Sequence, residues 1–151
     1  VNCYGSHVIS RHGRVHTVDQ SGVKPDPPSP SPARCFDLGR ATARFFKQSP
    51  WRAALVASSS WSHAFLCDKH LHLHPDIPSD RRLYDALVAG DYAAWRETPL
   101  SSVVDAGQQE LLNWFCLMGA MSELKYKVSW SQFVAAYIFV SNKVAAIFTD
   151  A

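Results

Sequence analysis

The residue that first suggests chemistry in this sequence is His63. A short apolar run, residues 51–57, gives way to small hydroxyl residues that end in a Ser62-His63 pair. A side chain at the tip of a buried strand sits on a rigid support, and free histidine has a pKa of about 6.5, close to neutral pH. His63 is therefore the first candidate for acid–base chemistry. The alternative is a structural histidine packed beside Trp61 and Phe65.

The second candidate is Glu110, in the first turns of a helix predicted over residues 107–121. A carboxylate near a helix N-terminus is favoured by the helix dipole, so a solvated glutamate is one interpretation. However, this helix is the most hydrophobic in the chain, and an unpaired charge at its mouth would be costly. That cost argues for a functional role of Glu110.

A third group of candidates lies just after the Ser62-His63 pair. Three histidines recur there at alternate positions: His70, His72 and His74. In a strand they would share a face, which would suit a metal ion. Lys69 adjoins them, Pro75 and Pro78 end the run, and no carboxylate or cysteine lies at zinc-type spacing. We therefore expect an exposed loop, and a zinc-dependent hydrolase is the least favoured function.

The composition excludes several classes of protein. The net charge is only +2 and the lysines and arginines are scattered, so no basic stripe predicts nucleic-acid binding. The longest apolar runs fall short of the roughly 18 to 20 residues that a membrane-spanning helix needs. The four cysteines show neither a CxxC pair nor regular spacing, which favours reduced thiols in a cytoplasmic protein.

The elements that must position these candidates begin with a helix over residues 32–48. Ser31 suits its N-cap, Pro32 suits its first position, and Ser49-Pro50 ends it. A strand over residues 51–57 follows and delivers His63. With an earlier strand at residues 1–4, this order predicts an α/β fold in which helices flank a mixed sheet.

The rest of the chain predicts further helices and two closing strands. Ser79 or Asp80 caps a helix that Gly90 ends, residues 91–97 form a short helical turn, and Thr98-Pro99 begins another. Strands are predicted over residues 133–140 and 144–148, although their alanines leave helix possible. The intervening Ser141-Asn142 pair is a turn or lines a pocket.

Taken in order, several of these stretches resemble the class III extradiol ring-cleavage dioxygenases, the family of protocatechuate 4,5-dioxygenase beta subunits. The matching residues are Val1-Asn2, Arg34-Cys35, Leu38-Gly39-Arg40-Ala41, Ser62-His63, Glu110-Leu111 with Trp114, Val140-Ser141-Asn142 and Ala145-Ala146. Their order and spacing agree with the C-terminal half of that family. The Pro- and His-rich loop over residues 6–31 lies outside the resemblance and looks like an insertion.

The resemblance implies the family's α/β fold and the insertion of both atoms of O₂ into a catecholic ring beside its two hydroxyls. Fe(II) in such enzymes is held by two histidines and one carboxylate. Glu110 matches that carboxylate. His63 matches the family's acid–base histidine. Relatives often assemble as oligomers, some with a small second subunit, and act in the catabolism of aromatic compounds.

The sequence departs from the family at the two iron-binding histidines, which no position matches. His7, His12 and His16 fall in the insertion and are not assigned to iron. We therefore expect residues 1–151 to be one domain from the C-terminal part of a longer catalytic domain, and to bind iron weakly and be inactive alone. The alternative is a non-catalytic relative of the same fold that binds partners through loop 6–31.

Overall fold

The computed structural model describes residues 29–150 of the chain. Over this range the protein is rich in helix and carries a two-stranded antiparallel sheet. The helices are α1 (Pro32–Gln48), α2 (Ile77–Ala89), α3 (Tyr92–Glu97), α4 (Leu100–Asp105) and α5 (Leu112–Leu124), and the strands are β1 (Lys127–Val134) and β2 (Lys143–Thr149). Three short 3₁₀ turns lie at Ala64–Leu66, Asp68–His70 and Gln109–Leu111.

The predicted first helix is confirmed as α1. The Ser31 side chain accepts a hydrogen bond from the Arg34 backbone N–H at 3.2 Å, and a proline occupies the first turn. Both features relieve the unpaired donors of a helix start, which is why the sequence alone locates it.

Helices α1 and α5 cross with their backbones almost in contact. A Cβ added at Gly39 of α1 would lie 1.8 Å from the Cys116 carbonyl oxygen, and one added at Gly119 of α5 would lie 1.9 Å from that of Phe36. Only glycine permits this approach, since any side chain would collide with main chain. The crossing holds α5 against α1, and the 3₁₀ turn carrying Glu110 leads directly into α5.

The core is organised around Trp61, two residues before His63. Its buried ring makes edge-to-face contacts with Trp95, Trp114 and Phe133, with ring centroids between 5.4 and 6.3 Å away. Such aromatic pairs contribute about 0.5–1.5 kcal/mol each beyond simple burial. The chain just before His63 is therefore anchored in the aromatic core.

The predicted strand over residues 51–57 is wrong. Residues 51–60 carry no secondary structure, and the Trp51 and Val56 side chains are largely exposed. A strand exists only as part of a hydrogen-bonded ladder, and within residues 29–150 no strand pairs with this segment. The helix-rich structure with its small antiparallel sheet is compatible with an α/β fold, but the predicted mixed sheet flanked by helices is not found within residues 29–150. The predicted strand at residues 1–4 and almost all of loop 6–31 lie outside the described residues.

The closing pair of strands is confirmed in part. β2 corresponds to the predicted strand 144–148, and it pairs antiparallel with β1 from Val134 opposite Lys143 to Lys127 opposite Thr149. The prediction of strand over residues 135–140 is wrong, because the chain turns there and Val140 has a positive φ of 49°. This turn allows residues 140–142 to hydrogen-bond with the segment around His63 instead of extending the ladder.

The start of α2 differs from the prediction, although its end is confirmed. Asp76, rather than Ser79 or Asp80, is the N-cap, and its carboxylate accepts the Ser79 backbone N–H at 3.2 Å. Gly90 ends the helix with a φ of 69°, as the sequence indicated. Asp80 therefore lies inside the first turn, where it faces the interior.

No helix within residues 29–150 has the length and apolarity to cross a membrane.

Candidate functional site

His63 lies where three separate segments of the chain meet. Its backbone N–H donates to the Gly107 carbonyl oxygen at 2.9 Å, and the Ala64 N–H donates to that of Val140 at 2.8 Å. On the same side as Val140, His63 also forms an isolated antiparallel bridge with Ser141. These contacts place the His63 backbone as firmly as a strand would, although the segment before it is not one.

The side chains of His63 and Glu110 meet directly. The imidazole Nε2 of His63 lies 3.1 Å from Oε2 of Glu110, and their side chains are only 12% and 23% exposed. Nε2 is buried, yet no well-aligned hydrogen bond reaches it. The pair is thus in contact, while the imidazole nitrogen keeps the capacity to exchange a proton with another group.

Electrostatics at the site favour an ionised Glu110. The neighbouring His63 imidazole holds the pKa of the Glu110 carboxyl below its usual value, against the opposing effect of burial. The Ser60 backbone N–H and the Lys143 ammonium lower this pKa further. Lys143 lies at the rim, where its Nζ donates to the hydroxyls of Ser60 at 2.5 Å and Ser141 at 2.6 Å.

Beneath the pair lies a buried carboxylate that sequence reasoning assigned to a helix cap. The side chain of Asp80 accepts hydrogen bonds from the Ser62 hydroxyl at 2.5 Å, from Gln108 Nε2 at 2.6 Å and from Asn142 Nδ2 at 2.6 Å. Burial raises the pKa of the Asp80 carboxyl, while these hydrogen bonds oppose that rise. The sequence did contain a sign of this second role for an aspartate. Asp76 and Asp80 both stand at positions suited to a helix N-cap, and only one of them can cap the helix.

Asn142 supports the site from within and does not line a pocket. It is fully buried, its Oδ1 accepts the Ala136 backbone N–H at 3.2 Å, and its Nδ2 faces Asp80. The turn that was expected at the Ser141-Asn142 pair lies just before it, at residues 137–140, whereas Ser141 itself forms the bridge with His63.

The three-histidine run forms a loop, as expected. The rings of His70 and His74 lie 4.2 Å apart between centroids, whereas Nε2 of His72 lies 3.5 Å from Oδ1 of Asp68. Within residues 29–150, no cluster of three or more histidine, cysteine, aspartate or glutamate residues is arranged to hold a metal ion. The zinc-hydrolase alternative therefore has no support in this part of the chain.

A family model described as the catalytic LigB subunit of aromatic ring-opening dioxygenase matches residues 22–148. The chain belongs to the LigB family. The match spans His63, Glu110 and Asp80, and it confirms the resemblance found in the sequence. No curated protein and no solved structure matches the chain. Membership implies a dioxygenase that opens an aromatic ring with O₂.

LigB dioxygenases generally use non-haem iron, and the residues present fit that metal in type. Glu110 offers a hard, ionised oxygen donor, and the buried His63 Nε2 beside it lacks an aligned partner. Non-haem Fe(II) oxygenases typically hold iron with two imidazoles and one carboxylate, and Glu110 fits the carboxylate of that set. Residues 29–150 do not supply a complete donor set, so further ligands would have to come from outside that range.

Proposed function

We propose that this chain carries the carboxylate and the acid–base histidine of a non-haem Fe(II)-dependent extradiol dioxygenase, which cleaves a catecholic ring with O₂. The observation that carries the proposal is the 3.1 Å contact between His63 Nε2 and Glu110 Oε2. These residues lie far apart in the sequence, yet they meet in a partly buried site. The LigB match supports the reaction class.

Glu110 is the iron ligand in this proposal. Its lowered pKa keeps the carboxylate ionised and available as a donor at neutral pH. Iron bound there would supply adjacent open positions at which a catecholate and O₂ bind together. The 3₁₀ turn Gln109–Leu111 and the start of α5 hold Glu110 on a rigid support.

His63 is the acid–base group. Its Nε2 accepts a proton from a catechol hydroxyl as the substrate binds, and it returns a proton as the ring opens. The main-chain bond to Gly107 and the Phe65 ring, whose centroid lies 4.7 Å away, hold the imidazole in place. A positioned acid–base group contributes about 10²- to 10⁴-fold in rate.

The experiment that tests the proposal compares the chain with a longer protein that includes its upstream reading frame. Residues 1–151 alone are expected to bind Fe(II) weakly and to leave catechols intact. The longer protein, supplied with Fe(II) and O₂, is expected to form the yellow ring-opened semialdehyde.

Two substitutions in the longer protein separate the proposed roles. Glu110→Ala should lose iron, measured by metal analysis after desalting, whereas His63→Ala should keep iron and slow ring opening. Full activity in both variants would rule out the assignment. A longer protein that binds no iron would favour the non-catalytic relative. Oligomeric assembly, with or without a small second subunit, and a cytoplasmic location stay predictions.

A further inference from the structure

A fully buried carboxylate lies under the proposed site and is not accounted for by its chemistry. Asp80 is 0% exposed, and within residues 29–150 no lysine, arginine or histidine forms an ion pair with it. Removing a carboxylate from water without a counter-charge is costly, so such a group persists only where hydrogen bonds satisfy it. All of its partners in hydrogen bonds are neutral groups.

Each of these partners belongs to a different segment of the site. Ser62 directly precedes His63 and donates both its backbone N–H and its hydroxyl. Gln108 lies two residues before Glu110, and Asn142 follows Ser141, which pairs with His63. One carboxylate on α2 therefore joins the three stretches of chain that surround the His63–Glu110 contact.

The direction of these hydrogen bonds requires an acceptor at position 80. The Ser62 backbone N–H can only donate, and it lies 3.1 Å from both oxygens of Asp80. The orientation of the Asn142 amide is set by its other end, because its Oδ1 accepts the Ala136 N–H. An asparagine at position 80 would keep the size of the aspartate but turn an N–H₂ group toward these donors.

We infer that Asp80 is a positioning residue that holds His63 and Glu110 at their working separation by tying Ser62, Gln108 and Asn142 together. This inference rests on the proposed function of the pair. It assigns Asp80 no contact with substrate or metal. The charge and shape of the Asp80 carboxylate are needed because its two oxygens must accept hydrogen bonds from several directions at once. A neutral side chain of the same size does not do this.

The first test reads the His63 ring directly, without turnover. The ring resonances of His63 in residues 1–151 are assigned by their absence in His63→Ala and then followed in Asp80→Asn. We expect Asp80→Asn to move the His63 resonances while those of His70 and His74 stay in place. Unchanged His63 resonances in a folded Asp80→Asn protein would overturn the inference.

Two controls separate positioning from loss of stability. Asp85→Asn makes the same substitution on the exposed side of α2 and should leave the His63 resonances unchanged. Leu83→Ala removes a fully buried core side chain from α2 without touching the network, and it should lower the melting temperature but not move these resonances. Equal movement in Leu83→Ala would overturn the inference, since general loosening would then suffice.

A milder variant covers the case in which Asp80→Asn does not fold. Asn142→Ala removes one donor and leaves the carboxylate with Ser62 and Gln108. We expect it to shift the His63 resonances in part. No shift in that variant would count against the network as the device that places His63.

Activity in the longer protein provides the second test. Asp80→Asn should lower kcat by about 10²-fold, as a displacement near 1 Å at a reacting group can do, with a smaller change in KM. An inactive longer protein would refute the proposed function but leave the resonance test of Asp80 intact. An active enzyme whose kcat is unaffected by Asp80→Asn would refute the positioning role alone.

Discussion

Two histidine-containing regions, one at His63 and the other over residues 70–74, lie only a few residues apart in the chain. The two regions differ in almost every physical respect. His63 has its backbone held by chain on both sides and its imidazole against Glu110, above the buried Asp80. The run from His70 to His74 lies in a loop, and the His72 side chain is 55% exposed. The region with one histidine has the features of a site, and the region with three does not.

The difference lies in how many distant segments converge on each region. The His63 region receives hydrogen-bonding groups from residues 107–110 and 140–142, which are distant from His63 and from each other in the sequence. The loop is held by backbone hydrogen bonds among its own neighbouring residues and by Lys69, whose ammonium lies 2.6 Å from carboxylate oxygens of both Asp76 and Asp105. Convergence of distant segments restricts a side chain to one geometry, and hydrogen bonds between near neighbours with a partly exposed lysine do so much less.

The comparison predicts its largest effect for paired histidine substitutions in the longer protein described under the proposed function. His63→Ala should lower kcat by about 10²- to 10⁴-fold, because it removes the acid–base group. The matched control His72→Ala should leave kcat unchanged. Steady-state kinetics of the iron-loaded protein measures kcat for both variants. An equal loss of kcat in the two variants would contradict the proposed difference between the regions.

A second prediction concerns the support behind Glu110. Gly119→Ala would place a Cβ 1.9 Å from the Phe36 carbonyl oxygen and force α1 and α5 apart. We expect it to lower the free energy of unfolding by about 3 kcal/mol, the upper range for overpacking. Gly90→Ala is the control, since its Cβ meets nothing within 4 Å and only its left-handed conformation is penalised, by about 1 kcal/mol.

Urea unfolding measures the loss of stability expected for Gly119→Ala. The histidine ring resonances in NMR spectra show whether the site is disturbed as well. Because Glu110 leads directly into α5, Gly119→Ala should also move the His63 resonances but not those of His72. An unfolding midpoint no lower than that of Gly90→Ala would show that the close crossing of α1 and α5 is not what holds α5.

A third, smaller effect is expected in the loop. Although burial would raise it, the pKa of the Asp76 carboxyl is lowered by hydrogen bonds from Lys69 and Ser79. Its folded pKa is therefore below its unfolded value, so the pairing stabilises the fold above about pH 4 and this stability is lost as pH falls through the folded pKa. Lys69→Met should cost at most about 1 kcal/mol at pH 7, because the pair is partly exposed.

The pH dependence distinguishes this loss from other effects of the substitution. The difference in unfolding free energy between Lys69→Met and the unmodified chain should shrink as the pH is lowered below about 4, where free aspartate becomes protonated. Lys125→Met is a suitable control, as Lys125 forms no ion pair within residues 29–150. A difference that is constant with pH would contradict the ion-pair explanation.

The smallest predicted effect is electrostatic and lies at the rim of the site. Lys143 lowers the pKa of Glu110, so Lys143→Met should raise it. Titration of the Glu110 side-chain carboxyl carbon by NMR measures the change. Lys127→Met, at the far end of the same sheet, should leave that titration unchanged. An unshifted Glu110 titration in Lys143→Met would show that solvent screens this contact fully.

Local features of the sequence were enough to predict that the helices exist and which family the chain resembles, but not every helix start: α2 is capped by Asp76, and the helix predicted from residue 107 begins at Leu112. The Ser31-Pro32 start of α1 and the Gly90 end of α2 were correct because caps act on backbone groups within one turn. The resemblance rested on short stretches of sequence, and the family it indicated is confirmed by the match over residues 22–148. The roles given to His63 and Glu110 stay predictions, although the structure brings the two side chains together.

The tertiary structure alone decided what depends on partners distant in the chain. Residues 51–57 have strand-type composition but no strand to pair with in the described range, while the paired part of β1 begins earlier than its hydrophobic pattern indicated. Asp80 looked like a cap until Ser62, Gln108 and Asn142 enclosed it. Ladders and buried hydrogen-bond networks are completed by groups that local sequence does not specify, and this is why composition and spacing did not reveal them.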